Sequence, residues 1–172
     1  MKHQRAHAAL LTLGAGAALC GGLAPPAAQA HHSFAMYDEH KTYVLTGVVT
    51  RVSPDANHLQ IFFAPLNDSR KAVIRGDDGA PIIWAVELRG SGQVAQEGVT
   101  VDSFPPGTIF SIGLHPLRNG LPAGGRANYG LFKCPESTPP ATDKHCDSVD
   151  GSTSHGRGVL PEHADRWPAE EE

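Results

Sequence analysis

A period of two runs through the middle of this chain. Leu59, Ile61 and Phe63 share one face of a segment whose other face carries His58 and Gln60. Ile82, Trp84, Val86 and Leu88 oppose Glu87 and Arg89, and Phe110, Ile112 and Leu114 oppose Ser111, Gly113 and His115. Such alternation belongs to strands with one apolar and one polar face. Thr42–Val52 is rich in β-branched residues and adds a long strand with Gly47 at its middle, where a bulge or bend is expected. Arg126–Lys133 is the fifth candidate, with Ala127, Tyr129 and Leu131 on one face.

Between the third and fourth segments, Ser91–Gly98 reads as a two-turn helix, with Ser91 as N-cap and Gly98 as the residue just past its end. Asp77-Asp78-Gly79, Pro105-Pro106-Gly107 and Arg118-Asn119-Gly120 are turns. Residues 65–74 read either as a long loop or as an extension of the second strand into a hairpin. The order β-β-β-α-β-β, opened by a long bent strand, predicts an all-β fold: a small five-stranded OB-like barrel over residues 31–134. Closure would leave no strand edge open, which suits a chain with no second helical layer. A β-sandwich is the alternative. The high Gly (19) and Pro (14) counts fit short strands and tight turns.

The two ends do not fit this pattern. Lys2 and Arg5 precede an apolar run of Ala, Gly and Leu; Pro25-Pro26 breaks it, and Ala28-Gln29-Ala30 has the small-x-small form of a cleavage site. Residues 1–30 are therefore expected to be a signal peptide cut after Ala30, the alternative being an uncleaved anchor. The product would begin at His31, reside in the periplasm or outside the cell, and carry no stable membrane insertion. Cys20 leaves with the leader. Leu19 before it occupies a position where a lipoprotein signal needs a small residue. Cys134 and Cys146 remain, and in an oxidising compartment they are expected to pair; a thiol metal site is the rival reading. Residues 135–172, rich in Ser, Thr, Pro, Asp and His, read as a disulfide loop and a largely disordered tail, with His145, His155 and His163 exposed.

The formal charge of −4 includes Lys2 and Arg5, so the cut chain sits near −6. This acidic balance, without basic and aromatic stripes, speaks against nucleic acid as the partner. No zinc-protease, Walker or dinucleotide motif is present, and Ser154-His155 lacks the strand–turn–helix context of a nucleophile elbow. No catalytic residues are assigned, and a non-enzymatic role is expected. The concentrated chemical signal is His31-His32. Cleavage after Ala30 would place a free amine and two imidazoles together, a donor set that suits Cu(II) or Ni(II). His40, His58 or His115 would complete such a site if the terminus folded back on the barrel. A solvated leader end is the plain alternative for His31 and His32, and a surface position the plain alternative for His58. Arg118-Asn119-Gly120 with Gly124-Gly125 reads as a turn or an anion-binding loop.

Seven short motifs occur in order: His31-His32-Ser33-Phe34, Leu45-Thr46-Gly47-Val48-Val49, Asn57-His58, Trp84-Ala85-Val86-Glu87, Gly98-Val99-Thr100, Pro106-Gly107 and Pro116-Leu117-Arg118-Asn119-Gly120. Together, over roughly residues 31–133, they resemble a family of small exported bacterial proteins classed as a domain of unknown function. Two features depart from its pattern: no Pro separates Asn57 from His58, and Val99 stands where the family has Trp. The resemblance implies a periplasmic address and a small barrel, and it implies no activity. The expected function is that of an exported binding or accessory module for a small ligand or a periplasmic protein. Copper binding through the mature terminus is the alternative.

Overall fold

Strand β1 (Tyr43–Ser53) is long enough to serve two neighbours, and Gly47 lets it change partners. Its first half pairs antiparallel with β4 (Ile109–Pro116), from Tyr43 opposite Leu114 to Val48 opposite Ile109. Its second half pairs antiparallel with β2 (Gln60–Pro65), with an irregularity between Val49 and Arg51. A Cβ at Gly47 would lie 2.5 Å from the Phe63 ring and 2.7 Å from the Ala64 carbonyl oxygen, so only glycine fits the crossing. The computed structural model describes residues 34–168.

β2 pairs antiparallel with β3 (Trp84–Glu87). β3 runs parallel to β5 (Ala123–Gly125), and β5 pairs back onto β4. The circuit β1-β2-β3-β5-β4 returns to β1, so each of these five strands has a partner on both sides and the barrel is closed. The apolar faces read from the alternation fill it: Leu59, Ile61, Phe63, Trp84, Val86, Leu88, Phe110, Ile112 and Leu114 are all buried. Helix α1 (Ser91–Ala95) places Val94 into the same core, beside Val99 and Phe104. Its end matches expectation: Gly98 has φ +80, its N–H reaches the Ala95 carbonyl at 3.0 Å, and the Val99 N–H reaches Val94 at 2.9 Å. Its start does not. Gly90 is the N-cap, and the Ser91 hydroxyl donates instead to the Asp55 carbonyl at 2.6 Å.

The fifth strand also differs. Arg126–Lys133 is not one strand. The chain turns at Arg126–Gly130, with Ala127 at φ 50, and Leu131–Lys133 forms β6, which pairs with β4 outside the closed circuit. The closing strand is β5, where the sequence reads as a turn. Close approach is the reason. A Cβ on Gly124 would sit 2.5 Å from the His115 carbonyl oxygen, and one on Gly125 would sit 2.9 Å from the Tyr37 ring. The ambiguous stretch resolves as a hairpin continuing β2: Leu66 bridges Val73, and the Ile74 N–H donates to Pro65 at 2.8 Å.

Residues 135–168 run against the barrel. Cys134 and Cys146 are joined, with Cα atoms 5.0 Å apart. The Cys146 N–H donates to Ser111 Oγ at 2.9 Å, Ser111 and Thr46 hydroxyls meet at 2.6 Å, and Thr46 lies 2.8 Å from His145 Nδ1. Thr46 and Ser111 are outward-facing polar positions of β1 and β4, yet they are 1% and 0% exposed because this loop covers them. Farther on, β7 (Thr153–Ser154) pairs with β6, and Asp165 bridges Tyr43. Trp167 packs edge-on against Trp84 with centroids 5.0 Å apart. These anchors are single residues in a polar stretch, so composition alone reads the segment as loop and disordered tail. No helix among the described residues is long and apolar enough to cross a membrane. Replacing both Cys134 and Cys146 with Ser should lower unfolding stability by about 3 kcal/mol, the effect of a loop of this size on the unfolded chain. Urea denaturation measures it, and an unchanged midpoint would show that the bridge carries no stabilisation.

Candidate functional site

Gly125 is the middle of a row. Parallel pairing sets Glu87 of β3 opposite it on one side, and antiparallel pairing sets His115 of β4 opposite it on the other. Glu87 and His115 occupy the polar, outward positions of their strands, alternating with core residues Val86 and Leu114. The row therefore presents a carboxylate and an imidazole flanking a gap. Tyr37 fills part of that gap. It bridges Leu117 in the backbone, is 9% exposed, and lies over Gly125. His58 enters just ahead of β2, whose Gln60 faces Glu87. These four side chains line one cleft of about 400 Å³ with a mostly apolar wall.

Glu87 organises the cleft. His58 Nδ1 is 3.1 Å from its Oε1, and the Tyr37 hydroxyl also hydrogen-bonds to its carboxylate. Burial, then the charge of Glu87 and that hydrogen bond, push the Tyr37 phenol up to about 12. Tyr37 thus stays protonated and acts as a donor. His115 Nδ1 is 2.8 Å from the Lys41 carbonyl oxygen. A carbonyl only accepts, so in neutral His115 the proton sits on Nδ1 and the lone pair on Nε2. The ring is steadied edge-on by Tyr129, with centroids 5.1 Å apart.

A second, larger chamber of about 950 Å³ adjoins the first and shares Arg89, Arg126, Ala127 and Asn128 with it. Its floor is an ion-paired cluster in which Glu97 binds both Arg89 and Arg126. Arg126, 7% exposed, donates from Nη1 to Glu97 at 2.8 Å, from Nε to the Tyr129 carbonyl at 2.9 Å, and from Nη2 to the His155 carbonyl.

Of the residues singled out from sequence, His58 and His115 meet in the first cleft, whereas exposed His40 does not line it. His31 and His32 lie outside the described residues. The described residues contain no group of three or more His, Cys, Asp or Glu arranged to hold a metal. Tyr37, Glu87 and Arg126 were not singled out as site residues. The outward position of Glu87 beside His58 on the next strand was the available signal; Tyr37 carried none.

His145 and His155 are not exposed tail residues. His145 accepts at Nδ1 from Thr46, with Arg70 approaching the same nitrogen at 3.5 Å, and His155 Nδ1 donates to the Glu97 carbonyl at 2.9 Å. Burial pushes both imidazoles below the usual His value; the charge of Arg70 adds to this at His145, while the Glu97 hydrogen bond opposes it at His155. A His whose folded pKa is depressed binds its proton more readily in the unfolded chain. Stability is then fully present above the unfolded value of about 6.5 and falls as the pH drops through the folded values. Urea midpoints taken from pH 7.5 down to 5 should decline, and His145→Gln should flatten that decline. An identical slope in the variant would exclude His145 as a source.

A family model described as a family of unknown function, DUF6152, matches residues 20–126. That span includes all five barrel strands and Tyr37, His58, Glu87 and His115, and it ends at Arg126. No curated protein and no solved structure matches the chain significantly.

Proposed function

For a chain that belongs to the DUF6152 family of unknown function, we propose the role of an exported periplasmic module that binds a small ligand in the first cleft. The observation that carries this reading is the convergence of Tyr37, His58, Glu87 and His115 on one mostly apolar hollow of about 400 Å³. A few placed polar groups in an apolar concavity are the usual composition of a small-molecule site. Export rests on the leader, and the oxidising compartment agrees with the Cys134–Cys146 bond. The test is a fragment library screened by amide NMR on the disulfide-bonded protein. Ligands should shift signals around Tyr37, Glu87 and His115. Glu87→Gln removes a charged acceptor and should weaken them about tenfold. Fragments that bind only elsewhere would refute the cleft.

Copper binding is the second reading, and the anchoring of residues 35–37 favours it. Arg118 donates from its backbone N–H to the Met36 carbonyl and from Nε to the Ala35 carbonyl, both at 3.0 Å. His32 lies three residues ahead of the anchored Ala35, a reach of about 11 Å at full extension. A terminus starting at His31 would then reach the cleft that holds His115. Amine and imidazole donors there suit Cu(II). Intact mass of the exported product establishes its first residue, and Cu(II) is then titrated into His31→Ala, His32→Ala and His115→Ala variants. Weakened binding in all three supports a folded-back site. Binding no tighter than a short peptide of the same first residues removes this reading.

A further inference from the structure

The two chambers differ in charge. The first carries Glu39 and Glu87 together with the shared Arg89 and Arg126, so its carboxylates and guanidinium groups balance, and the two carboxylates lie on the side that the second chamber does not share. The second carries three guanidinium groups, those of Arg89, Arg126 and Arg157, against the one carboxylate of Glu97. This local excess of positive charge stands in a chain whose formal charge is −4.

The three arginines are not equivalent. Arg126 is buried and its donors go to Glu97, Tyr129 and His155. Arg89 shares Glu97. Arg157 is exposed and has no partner among the described residues. Gln93 and Gln96, three residues apart at the end of α1, add neutral donors to the same wall. Gly156 presses the backbone beside Arg157 onto the ion pair: a Cβ there would sit 2.6 Å from Glu97 Oε2 and 2.7 Å from Arg126 Nη2. Its φ of +90 also favours glycine. The backbone next to Arg157 is therefore held at the chamber wall.

We propose that the second chamber receives the anionic end of the ligand, and that this ligand is an elongated organic carboxylate whose apolar body lies in the first cleft. The proposal rests on the cleft being the binding site. A carboxylate pointing the other way would face Glu39 and Glu87. Pointing toward Arg157, it meets an unpaired guanidinium able to bind it through two parallel hydrogen bonds.

The test uses three probes of equal chain length, octanoate, octanol and octylammonium, with the full disulfide-bonded chain and amide NMR as the readout. Octanoate should bind about tenfold more tightly than octanol, with shifts near both Tyr37 and Arg157, and octylammonium should bind most weakly. Raising the salt concentration should shrink the preference, because Arg157 is exposed. Arg157→Gln should erase the octanoate-over-octanol ratio. Equal affinities in the unmutated protein, with shifts at Tyr37 and His115, would overturn the anionic end and leave the cleft reading standing. A ratio that survives Arg157→Gln overturns the assignment of Arg157. Failure of all three probes to bind overturns the inference, while the fragment screen decides the cleft separately.

Discussion

Barrel closure through β5 is the contact on which the rest of the molecule depends. The His115 backbone, the Leu114 side chain and the Tyr37 ring converge on Gly124 and Gly125, and a side chain at either position has no room. With no side chain at Gly125, Tyr37 can lie across the seam and reach Glu87. The same seam brings the end of β3 beside the end of β4, so Glu87 and His115 flank one position though they are far apart in sequence. The parallel β3–β5 pairing needs a long crossover, which α1 and the Pro105-Pro106-Gly107 turn provide. Closing the sheet and forming the cleft are one event.

A seam of this kind hides from sequence reading. The other barrel strands show a period of two because one face is dry and one wet, and each core face was legible residue by residue from Leu59 to Leu114. Ala123–Gly125 has no such signature, since its job is to be thin. The strand signal of Arg126–Lys133 was genuine only at Leu131–Lys133, which pairs outside the barrel. In the site, the outward placement of His58 and His115 follows from alternation alone. Tyr37 does not, because its position depends on a bridge to Leu117 eighty residues away.

The segment after Cys134 shows how a polar stretch can be held without a core of its own. The Cys146 N–H, Ser111, Thr46 and His145 form a directional chain, and Arg70, which only donates, faces its last acceptor. Each buried polar atom of that chain has a partner, so its burial avoids the penalty of an unsatisfied group. The disulfide lowers the entropy of the unfolded loop that must find this arrangement. Neutral His145 suits the chain, and a proton on Nδ1 would remove its acceptor.

The family match ends at Arg126, whereas residues 127–129 and 154–158 wall much of the second chamber. Arg126 is held by the carbonyls of Tyr129 and His155, and Gly156 packs on its pair with Glu97. The second chamber thus combines Arg89, Gln93, Gln96, Glu97 and Arg126 of the matched span with residues that follow it. The matched barrel supplies Tyr37, His58, Glu87 and His115, while the stapled extension supplies Ser154, Arg157 and Gly158. Sites grafted onto a scaffold can vary while the scaffold stays the same. On that logic the barrel fixes the lining of the first cleft, and the extension adds Arg157 to the wall of the second chamber.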